Sequence, residues 1–333
     1  MTDLNLHLMV PEIALVILGI TVLLASLWMK PENRHKLGWF TAVGIGLITA
    51  YAYWLGPKAG DTQTAAQGLF RYDAFSLYLK LAFGLSGVLV SIMSVDYIRR
   101  NGRGQGEFFT IVIFALFGMF LVSGVNDLMS MFVSLELVTL CFFILAAFKR
   151  QDMKSGEAGI KYIIVGALAA GIMLFGMAFV YGATGEVRFE LLREKIAGLG
   201  QAEQVTAFFG LVLLLVGLGF KIAAIPFHGW VPDVYEGAPT PVTAFLSVGS
   251  KVAGFVLILR ILLLVVAGAF STQLVAMFAL IAGLTLLYGN LAAIPQVNIK
   301  RLMGYSSIGH AGYLLMGVVA IIAMQGAGKS FDM

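Results

Sequence analysis

Charge is scarce in this chain: Asp, Glu, Lys and Arg together make 12% of 333 residues, against roughly 25% in soluble globular domains. With 59% hydrophobic residues and a mean hydropathy of +0.92, a soluble fold is excluded and an integral membrane protein remains. The single cysteine, Cys141, lies in an apolar run, which excludes an intrachain disulfide or a cysteine-built metal or iron–sulfur centre within this chain. Glycine-rich phosphate loops, paired metal-ligand clusters and nucleophile–base motifs are also missing, so no nucleotide, flavin or metal site is read here. The 39 glycines are scattered through apolar runs, where small residues permit close helix packing. A net charge of +4 does not imply nucleic acid, because basic residues must first be placed relative to the bilayer. The start, MTDLNLHLMVPE, lacks the basic leader of a cleavable signal, and the apolar run after it is expected to be a permanent first helix.

Taking about 20 apolar residues per crossing, ten spans are predicted, near 11–29, 37–56, 75–97, 107–125, 127–148, 158–183, 205–231, 240–267, 273–294 and 301–324. Runs of this length without alternation are helices rather than barrel strands. The connections on one side carry eleven lysines and arginines and the opposite side, including the tail, six; positive-inside bias puts the N-terminus outside. Segment 186–200 spaces Val187, Leu191, Leu192 and Ile196 among charges, as a short amphipathic surface helix does. One membrane domain, 1–333, is expected.

Charges inside such sequence require a reason, since each costs roughly 2.5–3.5 kcal/mol or more at a helix centre. Glu136 falls about nine residues into the fifth span, roughly 14 Å deep, with Phe132, Val133, Thr139 and Leu140 at helical spacing. Nothing on its own helix can neutralise it. It is either a carboxylate paired with a buried lysine or a protonated, hydrogen-bonded packing group. Lys251 lies ten residues beyond Pro241, again about 15 Å deep, with Ser247 and Ser250 near it; a proton-relay lysine and a static ion pair are the two readings. Lys221 precedes Pro226, which breaks the helix just after the lysine and lets it continue through Phe227–Val231; a snorkelling terminal lysine is the alternative. Broken helices expose backbone groups at depth, where ions can bind. His228 and His310 could extend a relay or serve only packing. Lys80, Lys161 and Arg260 are read mainly as anchors, Lys161 with Glu157 one turn before it.

The runs NDLMSMFVSLELVTLCFFILAAFKR (126–150), GFKIAAIPFHGWVPDVYEGAPTPVTAFLS (219–247) and KRLMGYSSIGHAGYLLMG (300–317) resemble the antiporter-like membrane subunits of respiratory NADH:quinone oxidoreductase (complex I). Within that family, PDVYEGAPTPVTAFLS is similar to the subunit-N branch. The resemblance implies an all-α antiporter-like fold with inverted five-helix repeats and a proline-broken helix: N-terminal helices over 1–106, the first repeat over 107–268 and the start of an incomplete second repeat over 269–333. It implies that Glu136, Lys221 and Lys251 carry protons, with His310 and Lys300 in weaker roles and Pro226 at the break; His228 stays an auxiliary relay candidate on its chemistry alone. The family has about fourteen spans, so the resemblance implies that the later broken helix and its lysine lie outside these residues, as expected of a truncated chain or of a degenerate subunit.

Proton translocation driven by redox chemistry in other subunits is the implied function. The resemblance implies no cofactor in this chain, with NADH, FMN, iron–sulfur clusters and quinone in partner subunits. Partners would be other antiporter-like and small helical membrane subunits and lipids, in a bacterial plasma (inner) membrane. Alternatives are a subunit of a multisubunit Na⁺/H⁺ antiporter, a non-transporting membrane spacer, or the photosynthetic relative that takes electrons from ferredoxin.

Overall fold

The computed structural model describes residues 4–57, 61–101, 105–266 and 269–327; Lys58, Arg103 and Lys329, counted above for orientation, lie outside them. Among the described residues, ten helical stretches are long and apolar enough to cross a membrane, one for each predicted span. In chain order the helices are α1 (Val10–Trp28), α2 (Leu37–Leu55), α3 (Ala74–Asn101), α4 (Gln105–Gly124), α5 (Leu128–Ala146), α6 (Met153–Thr184), α7 (Phe189–Ala197), α8 (Gln201–Ile222), α9 (Val231–Gly237), α10 (Thr240–Phe245), α11 (Lys251–Arg260), α12 (Ser271–Ala293) and α13 (Ile299–Gly326). The protein is a multi-pass membrane protein.

Short polar side chains fix where the helices begin. Asp127 accepts from the backbone N–H groups of Met129 and Ser130 to cap α5, and Asn298 accepts from those of Lys300 and Arg301 to cap α13. Each such cap contributes about 0.5–2 kcal/mol by satisfying donors that the first turn leaves free. Glycine then sets how closely helices approach. A Cβ on Gly176 of α6 would sit 2.6 Å from the carbonyl oxygen of Gly210 on α8, and one on Gly217 would sit 2.9 Å from that of Ala169. Backbones meeting this tightly hold α8, and the lysine at its end, firmly against α6.

The structure departs from the sequence reading at four places. The seventh span does not continue as helix through Phe227–Val231: α8 ends at Ile222, Ala223 is left-handed at φ 62°, and helix resumes only at Val231. The eighth span is helical from Thr240 to Val266 but contains two π-helical turns, Leu246–Ser250 immediately before Lys251 and Ile261–Val266 after Arg260. The surface helix exists as α7, yet Phe189, Leu192 and Ile196 make its buried side while Leu191 faces outward. Between α2 and α3 stands an unforeseen antiparallel hairpin, β1 (Gln63–Ala65) and β2 (Phe70–Tyr72), registering Gln63 with Tyr72.

Candidate functional site

Lys221 is the penultimate residue of α8 and only 2% exposed. Its ammonium donates to the hydroxyl of Thr139 on α5 at 2.5 Å and stands 5.9 Å from the centre of the Tyr162 ring on α6. Glu136, three residues before Thr139 on the same face of α5, acts on Lys221 through its charge. Among the described residues the two do not form a contact ion pair; the threonine hydroxyl takes the ammonium that a direct pairing would have given the carboxylate. Glu136 is half-buried because it falls in line with Met129, Val133, Leu140 and Ile144, all exposed.

Pro226 explains the break beside the lysine. A proline has no N–H to return to the carbonyl four residues earlier, and the freed backbone groups find protein partners instead. The indole N–H of Trp230 donates to the carbonyl of Phe220 at 3.1 Å, and the N–H of Ile225 donates to the Thr285 hydroxyl at 3.1 Å. Trp230 also stacks on Tyr162, with ring centres 4.4 Å apart and planes 15° from parallel. The chain after the break is thus packed against the residue that faces Lys221.

Lys251, 6% exposed, begins α11. It donates to both the carbonyl and the hydroxyl of Ser307 on α13, the hydroxyl at 2.5 Å. The Ser307 hydroxyl lies 3.2 Å from that of Tyr235 on α9. Of the two serines beside Lys251 in sequence, Ser247 bonds back to its own helix at the Ala244 carbonyl. The hydroxyl of Ser250 is buried without a partner, as is that of Tyr162, and the two lie near each other short of hydrogen-bonding geometry. From Lys221 to Lys251 the polar groups therefore run through Thr139, Tyr162, Ser250, Ser307 and Tyr235, contributed by five different helical segments. Sequence reasoning named the two lysines and Ser250 but missed Tyr162, Tyr235 and Ser307.

The remaining candidates separate. His228 packs edge-on to Tyr288 with ring centres 4.5 Å apart, inside the broken segment. His310 is exposed and its nearest ring partner is Tyr313 at 6.5 Å, so the structure does not bring it to the polar line; Ser307, one turn earlier, takes that place. Lys300 donates to the carbonyls of Glu236 and Ala238 at 2.9 and 2.6 Å, closing the C-terminal end of α9 as a cation favours. Both acids of α9 are tied to neighbours: Asp233 to Lys161 and Arg301, each at 2.6 Å, and Glu236 to Lys154 at 2.7 Å and Arg301 at 3.1 Å. Burial alone would raise the Asp233 carboxyl, but hydrogen bonds from Lys161 and Arg301 hold it below the usual carboxylate range; Lys154 foremost does the same for Glu236. Lys161 also meets Glu157 at 2.7 Å. Lys80 and Arg260 are not interfacial anchors: at 2% and 0% exposure they sit in buried ion pairs with Glu12 and Asp73.

Two buried lysines, one on each side of a proline break, are thus each held by a hydroxyl from another helix. Residues 125–331 match the family described as NADH:quinone oxidoreductase/Mrp antiporter, TM. The chain belongs to this family. It is 41% identical over 310 residues to NADH-quinone oxidoreductase subunit N of Rhodospirillum rubrum, covering 93% of this chain and 63% of that protein. It is 39% identical over 331 residues to the subunit N of Trichlorobacter lovleyi, covering 99% and 67%. The chain thus spans about two thirds of the length of these relatives. Among solved structures, a chain of respiratory complex I from Thermus thermophilus with bound aureothin superposes with a TM-score of 0.75 at 33% identity, over 92% of this chain and 64% of that one. A chain of the Mrp complex from Dietzia shares the fold, with a TM-score of 0.78 at 24% identity over 93% and 59%.

Proposed function

We propose that the chain is the greater part of a proton-translocating, subunit-N-type membrane subunit of a bacterial NADH:quinone oxidoreductase. The observation that carries this is the pair of buried amines, Lys221 on the Thr139 hydroxyl and Lys251 on the Ser307 hydroxyl, with the buried hydroxyls of Tyr162 and Ser250 in the interval between them. A proton held on Lys221 passes toward Lys251 through Tyr162 and Ser250 with intervening water, because those two hydroxyls are the ones left without partners. Each transfer moves one proton from nitrogen or oxygen to the next acceptor, so no electrons change hands in this chain. Glu136 lies one turn from the Thr139 hydroxyl that holds Lys221, and moving or neutralising its carboxylate is the event that shifts the proton.

Redox chemistry in partner subunits, which hold NADH, FMN, iron–sulfur clusters and quinone, supplies the bias. The half-exposed position of Glu136 supports a neighbouring membrane subunit over that stripe of α5, since a carboxylate facing lipid near mid-depth is costly. We read 107–268 as the first five-helix repeat and 269–333 as the start of the second, in the bacterial inner membrane with the N-terminus outside. In the assembled complex, Lys221→Ala and Glu136→Gln lower the number of protons pumped per electron. Unchanged stoichiometry in fully assembled enzyme defeats the proposal.

The shared fold with the Mrp complex supports a second reading, cation/proton antiport without redox coupling. Sodium-dependent transport by a complex that lacks quinone reduction selects it.

A further inference from the structure

A second set of buried charges lies away from the Lys221–Lys251 line. Glu12 of α1 and Lys80 of α3 are 4% and 2% exposed and pair at 2.5 Å through one carboxylate oxygen, Oε1. The other, Oε2, is buried with no hydrogen-bond partner. Glu12 lines a cavity of about 10 Å³ together with Lys80, Arg71, Tyr72 and Gly124, covered by the β1–β2 hairpin. That volume is about one water probe, and the lining supplies the polar partners a water needs. The site is at the far end of the bundle from Asp233 and Glu236. Helix α5 starts next to the hairpin, where the Asn126 N–H reaches the Leu69 carbonyl at 3.0 Å, and ends next to the start of α6, where Ser155 donates to the Ala146 carbonyl at 2.8 Å.

The neighbouring acid shows what a closed pair looks like. Both oxygens of Asp73 are occupied: Arg260 donates to Oδ2 and Oδ1 at 2.8 and 3.0 Å, Arg71 to Oδ2 at 3.0 Å, and the Ser76 N–H to Oδ1 at 2.7 Å. Burial would raise its carboxyl, but the hydrogen bonds and charge of Arg260, aided by Ser76 and Arg71, hold it below the usual carboxylate range. Glu12 has one partner and one free oxygen. Its partner also has a second attachment: the Lys80 ammonium lies 4.1 Å from the centre of the Tyr72 ring, and Tyr72 is held by its hydroxyl bond to the Ala52 carbonyl at 3.2 Å. A cation over an aromatic face keeps part of its stabilisation when the anion is neutralised.

We propose that Glu12 is a proton-exchange site, loaded and unloaded through one water held under the hairpin. In the step, a proton leaves the water-borne hydronium and bonds to Oε2, returning water; Lys80 stays an ammonium against Tyr72, and no electrons move. The charged and titratable groups around Glu12 are Lys80 of α3, Asp73 just before α3, Arg71 and Tyr72 of the hairpin, Tyr51 of α2 and Arg260 of α11. Arg71 continues outward to Glu190 of α7 at 3.2 Å, whose side chain is 61% exposed, so the site has a polar way to the surface. The inference does not require the Lys221–Lys251 line to conduct.

The test reads carboxyl protonation in the assembled complex in membranes, not pumping. Infrared difference spectra between alkaline and acid pH are expected to show a protonated-carboxyl band that shifts in D₂O and on ¹³C labelling of glutamate. One component of that band is expected to persist in Glu136→Gln and to be missing from Glu12→Gln/Lys80→Met, a variant that removes both charges and leaves neither unpaired. Identical spectra in wild type and that double variant overturn the proposal. If the double variant does not assemble, Glu12→Asp in glutamate-labelled complex decides: loss of a component from the labelled carboxyl band supports the proposal, and a labelled band identical to that of the wild type overturns it.

Discussion

Lys251 and Ser307 meet across two helices that are 56 residues apart in sequence, and the serine offers the ammonium both its hydroxyl and its backbone carbonyl. Only the hydroxyl can pass a proton on, because it alone both accepts and donates. Ser307→Ala therefore keeps the carbonyl as an anchor and removes the transferable group, also stranding the Tyr235 hydroxyl. A hydrogen bond to a charged group contributes about 1.5–3 kcal/mol, so the pumping rate is expected to fall about tenfold or more in fully assembled enzyme. Ser307→Thr, which restores a hydroxyl, is expected to recover much of it. Equal rates for the serine and alanine enzymes, measured by proton uptake into vesicles, would remove Ser307 from the path.

Tyr162 combines a ring and a hydroxyl with separate tasks. The ring stacks on Trp230 and faces Lys221, while the hydroxyl is buried and unpartnered near Ser250. Tyr162→Phe keeps the packing and is expected to leave assembly intact while slowing proton transfer severalfold. Tyr162→Ala empties the stack and is expected to cost about 3–5 kcal/mol of stability, as other large aromatic truncations do. A phenylalanine enzyme that pumps normally would show that water bridges the gap without the phenol.

The ten spans and the break after Lys221 were legible because hydropathy and a proline act locally along the chain. Lys221, Lys251 and Glu136 stood out for the same reason, as charges in apolar sequence. What could not be read was pairing between distant segments: Arg260 finds Asp73 187 residues away, and Lys80 finds Glu12, so both looked like anchors. Tyr162, Tyr235 and Ser307 carry no charge and resemble many other hydroxyls in apolar runs; only the packing of α6, α9 and α13 distinguishes them. His310 looked polar enough for the path, but the turn of α13 that places Ser307 inward puts it outward. The hairpin was missed because its two strands are three residues each, too short for alternation to register.

The acids of α9 predict a pH dependence whose sign follows from their partners. Asp233 and Glu236 are held below their ordinary values of 3.8 and 4.5 in the folded chain, so the unfolded chain binds protons more readily. Their contribution to stability is full above those ordinary values and is lost as pH falls through the lowered ones. The Asp233 side chain is 31% exposed, which limits the effect. Asp233→Asn is expected to lower the thermal midpoint of the detergent-solubilised protein by about 2–4 °C near neutral pH, with the difference vanishing in strong acid. A difference that grew on acidification would show that the network around α9 does not act through these carboxylates.

The Asp73–Arg260 pair joins the start of α3 to the end of α11 and also holds the end of α4, since Arg260 donates to the Ser123 carbonyl at 2.7 Å. With Arg260 0% exposed, its removal leaves a buried carboxylate with only Arg71 to answer it. Arg260→Met is expected to cost about 3–5 kcal/mol, the usual result of breaking a buried pair from one side. Asp73→Asn on that background removes the stranded charge yet keeps an oxygen for the Ser76 N–H, so the double variant is expected to be more stable than the single one. Unfolding midpoints of the two variants and the wild type, taken in one detergent at one pH, measure the coupling. Equal midpoints for the single and double variants would mean that Arg71 alone satisfies Asp73, and that the tie between α3 and α11 rests on apolar packing around it.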